Sequence, residues 1–498
     1  MHKFKKYLDD YWIDLSFVFF IVAIYSGFNF IWLSYEKIPP HWDMGRHLWT
    51  SLLYLNMFHW DHFWHLWTDY YYYPPFRYWL SIPFYLVFGN SFTVAVMSNI
   101  VFIFILAFSV YEIGRMLWGR STGLLAMFGI LCSPMFIGQF KEYQLDAQLS
   151  AMVALSFCFL IKTKEFSDKK YSMLFGLSFG LGMLTKWTFI CCLFFPLIYS
   201  AVKCISANKS NRKKNVENLI WAVFIGISVS LLWYGNHPRM IWNDFIGVRR
   251  DFKEAPMSPG ELCSWYLRYF ELVQMYLFPT FLFFIGFIAS LFNKSWFERN
   301  LYPYLLVAGS YLIFTVLKHD CRYTMPMLVG CFIFVVYWFE LVKSKLLRII
   351  LKTVFVLYCC FTFAVISGGD RLFPYHIEQV KMGSLVLFQQ DGYGVSGPDS
   401  TDWHQEEIFK IISEDKSENK VVGWQMPDHD DIRFNGWGNN YFALKYNIAL
   451  KIPKENPVYL LIRSFRKIDV DGYAGYTPYR QYVLPDQSFV CLFKKKGV

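Results

Sequence analysis

Asp43 stands in Pro39-Pro40-His41-Trp42-Asp43, just past the first apolar run of the chain. An acidic residue at the watery margin of an apolar protein can take a proton from a hydroxyl, which makes Asp43 a candidate general base. It can equally cap a short interfacial helix through Arg46–Leu53, since Asp is a favoured N-cap. Glu142 and Asp146, in Phe140-Lys141-Glu142-Tyr143-Gln144-Leu145-Asp146, form the next candidate pair. Carboxylates four apart share a face if the helix begins early. Acids near a bilayer are functional candidates because burying them is costly, with capping and snorkelling as the bland alternative. Lys186 follows Gly176, Gly180 and Gly182. Those small residues let helices approach closely, and the lysine either binds a phosphate or anchors a turn at the interface. Lys318-His319-Asp320-Cys321-Arg322-Tyr323 adds two cations and a phenol. Arginine holds phosphate oxygens in a fork and lysine acts as a point charge, though basic residues beside aromatics also serve as belt anchors.

These residues need elements to position them, and composition says what kind. Of the 498 residues 55% are hydrophobic and 17% charged, against about 25% charged in ordinary soluble domains. Apolar runs fall at about 13–34, 92–113, 121–138, 145–161, 171–186, 188–202, 217–234, 275–292, 301–317, 323–340 and 347–367. A bilayer crossing takes roughly 20 such residues, so the chain reads as a polytopic membrane protein. The net charge of +10 sits in short loops between runs. The positive-inside rule accounts for it without nucleic acid as a partner.

The stretch 171–202 is apolar except for Thr185-Lys186 and is flanked by basic clusters on both sides. Both flanks can face the cytoplasm only if the chain crosses twice between them, which puts Lys186 at an outer turn. The same parity predicts eleven spans, a cytoplasmic N-terminus and an outward C-terminus. Long outer loops are then expected at about 35–91 and 235–274, with Phe76–Phe88 as an interfacial helix. Asp43, Glu142, Asp146, Lys186, Lys318 and Arg322 all fall on that outer face. A transporter or flippase of lipid-linked saccharides is the rival reading, but it predicts polar residues in mid-span, where this chain is almost wholly apolar.

After about residue 368 the composition turns ordinary, and a small α/β domain outside the cytoplasm is expected over 368–498, with 1–367 as the membrane domain. A helix is predicted over Asp402–Ser413 and another over Tyr441–Tyr446, with strands at Val421–Trp424, Val458–Ile462 and Phe489–Phe493. Most of the eleven cysteines lie inside apolar runs as small buried side chains. No Walker loop, HExxH or CxxC occurs. His59, His62 and His65 suit a wet aromatic helix better than a metal, because metal histidines on one helix usually sit three or four apart with a third ligand elsewhere.

In order, these motifs resemble the GT-C membrane glycosyltransferases, in particular the branch of protein O-mannosyltransferases and the lipid A aminoarabinose transferase. The resemblance spans about residues 10–367. It rests on Trp42-Asp43-Met44-Gly45-Arg46-His47 and Tyr73-Pro74-Pro75-Phe76-Arg77-Tyr78-Trp79. It rests also on Asp146, on Gly180-Leu181-Gly182-Met183-Leu184-Thr185-Lys186, and on Lys318 through Tyr323 and Pro326. It implies a polyprenyl-phosphate-linked sugar donor, inversion at the anomeric carbon on the outer membrane face, and Asp43 as base. The acceptor is then a glycan, lipid or protein hydroxyl. Lys186, Lys318, Arg322 and Tyr323 are expected on the donor phosphate, and Asp146 with Glu142 on sugar or acceptor. Two positions depart from the family pattern. Met44 replaces a second acid, which leaves a divalent metal ion an open question and assigns no residue to one. Tyr73 replaces a lysine, whose phosphate contact Arg77 is expected to take over. No soluble cofactor is needed.

Overall fold

The computed structural model describes residues 2–40, 42–58, 62–69, 71–243, 257–315, 320–368, 379–383, 385–389, 397–417, 419–427, 433–451, 455–469 and 473–497. Lys318 therefore lies outside the described residues, as does His59 of the histidine run. Packing groups the chain into two compact units. One comprises Met1–Trp32, Trp64–Arg77 and Val96–Gly397; the other comprises Leu33–Phe63, Tyr78–Ala95 and Pro398–Val498.

The larger unit is helical. Across the described residues four helices are long and apolar enough to cross a bilayer: Tyr11–Tyr35, Phe92–Trp118, Ser210–Tyr234 and Lys345–Gly368. A fifth arises if Gly260–Met275 and Leu277–Leu291, bent by 118°, are one broken span. The remaining apolar runs form shorter helices, among them Arg120–Leu131, Phe189–Ile205 and Leu301–Phe314. The ambiguous stretch 171–202 resolves into two helices, Lys169–Met183 and Phe189–Ile205, with Lys186 in the turn between them. Gly176 lets the first of these lie against Lys209–Tyr234, since a Cβ there would come 2.3 Å from the Ala222 carbonyl oxygen. The bend at Tyr276 is fastened: φ there is +61°, and its hydroxyl donates to the Gln389 carbonyl of a hairpin formed by β1 (Gln379–Met382) and β2 (Leu385–Gln389).

The smaller unit combines first-loop helices with the C-terminal sheet. Its strands are β3 (Val421–Gln425), β4 (Ala449–Lys451), β5 (Tyr459–Ser464), β6 (Tyr476–Val483) and β7 (Phe489–Lys495), in the order β4-β3-β5-β7-β6. β3 pairs in parallel with β4 and β5, while β7 runs antiparallel to both β5 and β6. Central β5 reads as a near-continuous apolar run because both its faces are covered. Edge strand β6, with Pro478 beside a bulge and little apolar alternation, gives no such signal.

Two helices form the first-loop part of this unit. Phe76–Phe88 is helical as expected, with Pro83 inside. Trp42–Met57 is twice as long as the interfacial helix the sequence suggested, and it places Asp43 in its first turn rather than at a cap. Bonds from His47 Nδ1 to the Tyr78 hydroxyl (2.8 Å) and from Ser51 Oγ to the Tyr85 hydroxyl (2.7 Å) clip the two helices together.

Glu36 ties the entrance of this loop to the C-terminal segment, accepting from the Ile38 amide (2.8 Å) and the Asp399 amide (3.2 Å). Burial lifts its carboxyl to about 7, against the two amides and Arg433, which pull it down, and with the Asp399 charge, which pushes it up. A raised carboxyl favours folding while protonated, so its contribution is present near pH 4.5 and lost as pH rises through 7. The melting temperature should therefore fall between pH 5 and 7.5, and Glu36→Gln should flatten that slope. An unchanged slope in the variant would assign the dependence to another group.

Candidate active site

The centre of interest in the larger unit is a buried ion pair. Lys186 Nζ lies 2.6 Å from Asp146 Oδ1, and the two residues are 5% and 3% exposed. Asp146 opens the helix Asp146–Lys162, where a carboxylate is favoured by the helix dipole. Two phenol rings flank the ammonium, Tyr323 at 4.9 Å and Tyr73 at 5.9 Å. Tyr73 is delivered by the Pro74-Pro75 corner, which the Phe76 amide stitches to the Leu184 carbonyl at 3.0 Å, and Tyr72 and Tyr73 pack on Trp187. A phenol thus occupies the place where the family pattern expects a lysine.

Burial pulls Lys186 towards losing its proton, but the Asp146 carboxylate and the two phenols outweigh it, and the ammonium is held well above its ordinary range. Burial likewise raises the Tyr323 hydroxyl, against the pull of Lys186. The site therefore keeps a permanent cation and a proton-bearing phenol at any physiological pH.

The other expected residues fall out differently. Arg322 is forked onto Asp320, with Nε–Oδ2 at 3.0 Å and Nη2–Oδ2 at 2.7 Å, so the loop supplies its own counter-charge to that cation. Glu142 does not share a helix face with Asp146, because the helix begins only at Asp146; Glu142 sits half-buried in the preceding turn, where Oε2 accepts from Gln139 at 3.4 Å. Arg77, expected on the donor phosphate, has partners of its own. It is fully buried, donates to Ser98 Oγ (2.6 Å) and Asn99 Oδ1 (2.7 Å), and its guanidinium lies 4.1 Å from the Tyr143 ring. Asn99 in turn donates to the Phe140 and Glu142 carbonyls, both at 3.0 Å, and Gln148 donates to it at 2.7 Å. This buried network braces the 140–148 segment, and so the start of the Asp146 helix.

A second brace escaped sequence reasoning. Gln274, fully buried in a π-helical turn (Phe270–Met275), donates to the Cys321 carbonyl at 2.6 Å and to Thr324 Oγ1 at 2.8 Å. Ser133 Oγ donates to the Gln274 carbonyl at 2.6 Å. The segment bearing Arg322 and Tyr323 is therefore held from below. An amide isolated in an apolar run is costly unless bonded, and that was a readable signal for Gln148, whereas Gln274 falls in the stretch expected as an outer loop and gave none. Gln274→Leu should cost about 1–3 kcal/mol of stability and lower turnover roughly tenfold as Tyr323 loosens. Turnover equal to wild type in a folded Leu variant would reduce Gln274 to packing.

The residues around Asp146 do not suit a metal ion, because its carboxylate is already neutralised by Lys186. Among the described residues, three side chains of metal-ligating type come together at Asp402, His404 and Glu407, with donor atoms within 4.8 Å of one another. They are partly or fully exposed and satisfy one another, His404 Nδ1 lying 2.7 Å from Glu407 Oε2.

Residues 73–233, which include Tyr73, Asp146 and Lys186, match the family model described as dolichyl-phosphate-mannose-protein mannosyltransferase. No curated protein matches the sequence. Among solved structures, ArnT from Cupriavidus metallidurans bound to undecaprenyl phosphate is similar with a TM-score of 0.61 and 12% identity, over 96% of this chain and 98% of that one. The Archaeoglobus fulgidus oligosaccharyltransferase, in complex with zinc and sulfate, is similar with a TM-score of 0.55 and 11% identity, over 95% of this chain and 72% of that one. Apolar helices of spanning length, the helical architecture with a small C-terminal sheet, and these likenesses agree: the chain is a multi-pass membrane protein with the fold of the GT-C glycosyltransferases.

Proposed function

We propose that this glycosyltransferase moves a sugar from a polyprenyl-phosphate carrier to an acceptor hydroxyl, with inversion, at the outer face of the plasma membrane. The observation that carries this reading is the buried Asp146–Lys186 pair between two phenols. A buried ion pair seldom stabilises a fold more than apolar side chains of the same volume would. A chain that keeps one in an apolar protein has another use for the charge, and perturbed groups gather at functional sites. In this reading the donor phosphate meets Lys186, with Tyr323 donating a hydrogen bond and Arg322 and Lys318 assigned to the same phosphate.

The chemistry needs little else. The acceptor oxygen attacks the anomeric carbon from the face opposite the phosphate as Asp43 takes its proton. The bond from that carbon to the phosphate oxygen breaks, and polyprenyl phosphate leaves with the electron pair. Negative charge on the phosphate grows in the transition state, where fixed cations in an apolar site contribute most. Asp146 keeps Lys186 protonated and aimed, and with Glu142 faces sugar or acceptor; Arg77 holds the segment that carries them. Residues 1–367 then carry the transfer chemistry, with the N-terminus cytoplasmic, and 368–498 lie outside the cytoplasm. The carrier follows from the location, since nucleotide sugars are not expected on that side.

The test is transfer in proteoliposomes supplied in turn with radiolabelled polyprenyl-phosphate mannose, glucose, galactose and arabinose, and with cell-envelope material as acceptor. One of them should label the acceptor and release polyprenyl phosphate. Transbilayer movement of the donor without cleavage would overturn the reading in favour of a flippase.

A further inference from the structure

Asp43 can serve as a base only if something sets the direction of the helix it opens, and the smaller unit contains that device. Asn435, 1% exposed, bonds in two directions. Its Oδ1 accepts from the Gly438 amide at 2.9 Å and so caps the helix Gly436–Lys445. Its Nδ2 donates to the Pro40 carbonyl at 3.1 Å, three residues before Asp43. Pro39-Pro40 is stiff by nature, because each ring fixes φ, so holding the Pro40 carbonyl constrains the chain that enters the helix.

One turn further on, the two helices lie backbone to backbone. A Cβ at Gly45 would stand 3.1 Å from the Pro40 carbonyl oxygen, 3.1 Å from Trp437 Cβ and 3.2 Å from the Gly438 amide nitrogen. The Arg46 guanidinium sits 5.3 Å from the Trp437 ring, and Trp49 packs on the same ring at 5.7 Å. Upstream, the Lys37 amide donates to the Asp399 carbonyl at 2.8 Å, fastening the same limb a second time. Amide, glycine and tryptophan thus meet around the first turn that presents Asp43.

We infer that Asn435 is a positioning residue for the transfer reaction: with its capped helix it sets the first turn of Trp42–Met57, and thereby the aim of the Asp43 carboxylate. The C-terminal domain then acts on catalysis through the first turn of Trp42–Met57. The inference rests on Asp43 being the base.

Asn435→Asp separates the two bonds, because an aspartate still caps Gly438 but cannot donate to Pro40. In the full-length protein, turnover should fall roughly tenfold to a hundredfold, the loss expected from a small misplacement of a reacting group. KM for the donor should stay near wild type, while the melting temperature falls somewhat, because a buried carboxylate then faces the Pro40 carbonyl oxygen. Gly45→Ala, an exchange that helices favour, should lower turnover in the same way by lifting the helix off its seat, and decides the matter should the Asp variant misfold. Wild-type turnover in either folded variant would overturn the inference. Asp43→Asn is assayed alongside: if it retains turnover, the reading of Asp43 as base has failed, whereas a dead Asp43→Asn with fully active Asn435→Asp and Gly45→Ala condemns the positioning role alone.

Discussion

Lys186→Met is expected to lower turnover at least a thousandfold and to destabilise the protein by about 3–5 kcal/mol. Both effects come from the same geometry. Removing the ammonium takes away the cation proposed for the donor phosphate, and it leaves the Asp146 carboxylate, 3% exposed, without the charge 2.6 Å away that neutralised it. A second substitution separates the two. Lys186→Met with Asp146→Leu replaces the pair by apolar side chains, so the melting temperature should recover much of the loss. Turnover should not return with it. If the double variant recovered activity as well as stability, the pair would be structural and the phosphate assignment would fall. The converse, a single variant that is active but unstable, would say the same.

Asp43→Asn should lower kcat by roughly two to four orders of magnitude, the range that a positioned proton acceptor supplies. The change is close to isosteric. What the first turn of Trp42–Met57 loses is a favourable charge–dipole interaction of about 0.3–1 kcal/mol, too little to unfold the unit. KM for the polyprenyl-phosphate sugar should be unchanged, since the donor contacts assigned to Lys186 and Tyr323 remain. The measurement is a kcat and KM pair at saturating acceptor, with folding checked by thermal melting. A variant with unaltered kcat removes Asp43 from the chemistry; one with altered KM alone makes it a binding residue.

How much of this was legible without coordinates varied with the physics behind each signal. Lys186 was readable as a turn residue because an apolar stretch of that length, basic at both ends, must fold back on itself, and the structure has two helices meeting there. Strands β3, β5 and β7 announced themselves by apolar content, whereas β4 and β6 at the sheet edges carry mostly exposed residues and gave no such signal. The shared helix face expected of Glu142 and Asp146 failed, because a four-residue spacing says nothing of where a helix starts. Arg77 was expected to stand in for the lysine that Tyr73 replaces, and nothing in the motif showed that Ser98 and Asn99, twenty-odd positions away, bond to it.

What the chain determined by itself was its solvent and its vocabulary: long apolar runs that demand a bilayer, acids and cations confined to the ends of those runs, and the order of motifs that resembles the GT-C transferases. These follow from local composition, which needs no neighbour. Only the tertiary structure decided the partnerships: Lys186 with Asp146 across 40 positions, Gln274 beneath the Tyr323 segment, and Asn435 on Pro40 across 395. Charge pairing and amide bonding act over a few ångströms of space whatever the separation along the chain, so no spacing rule could have matched them.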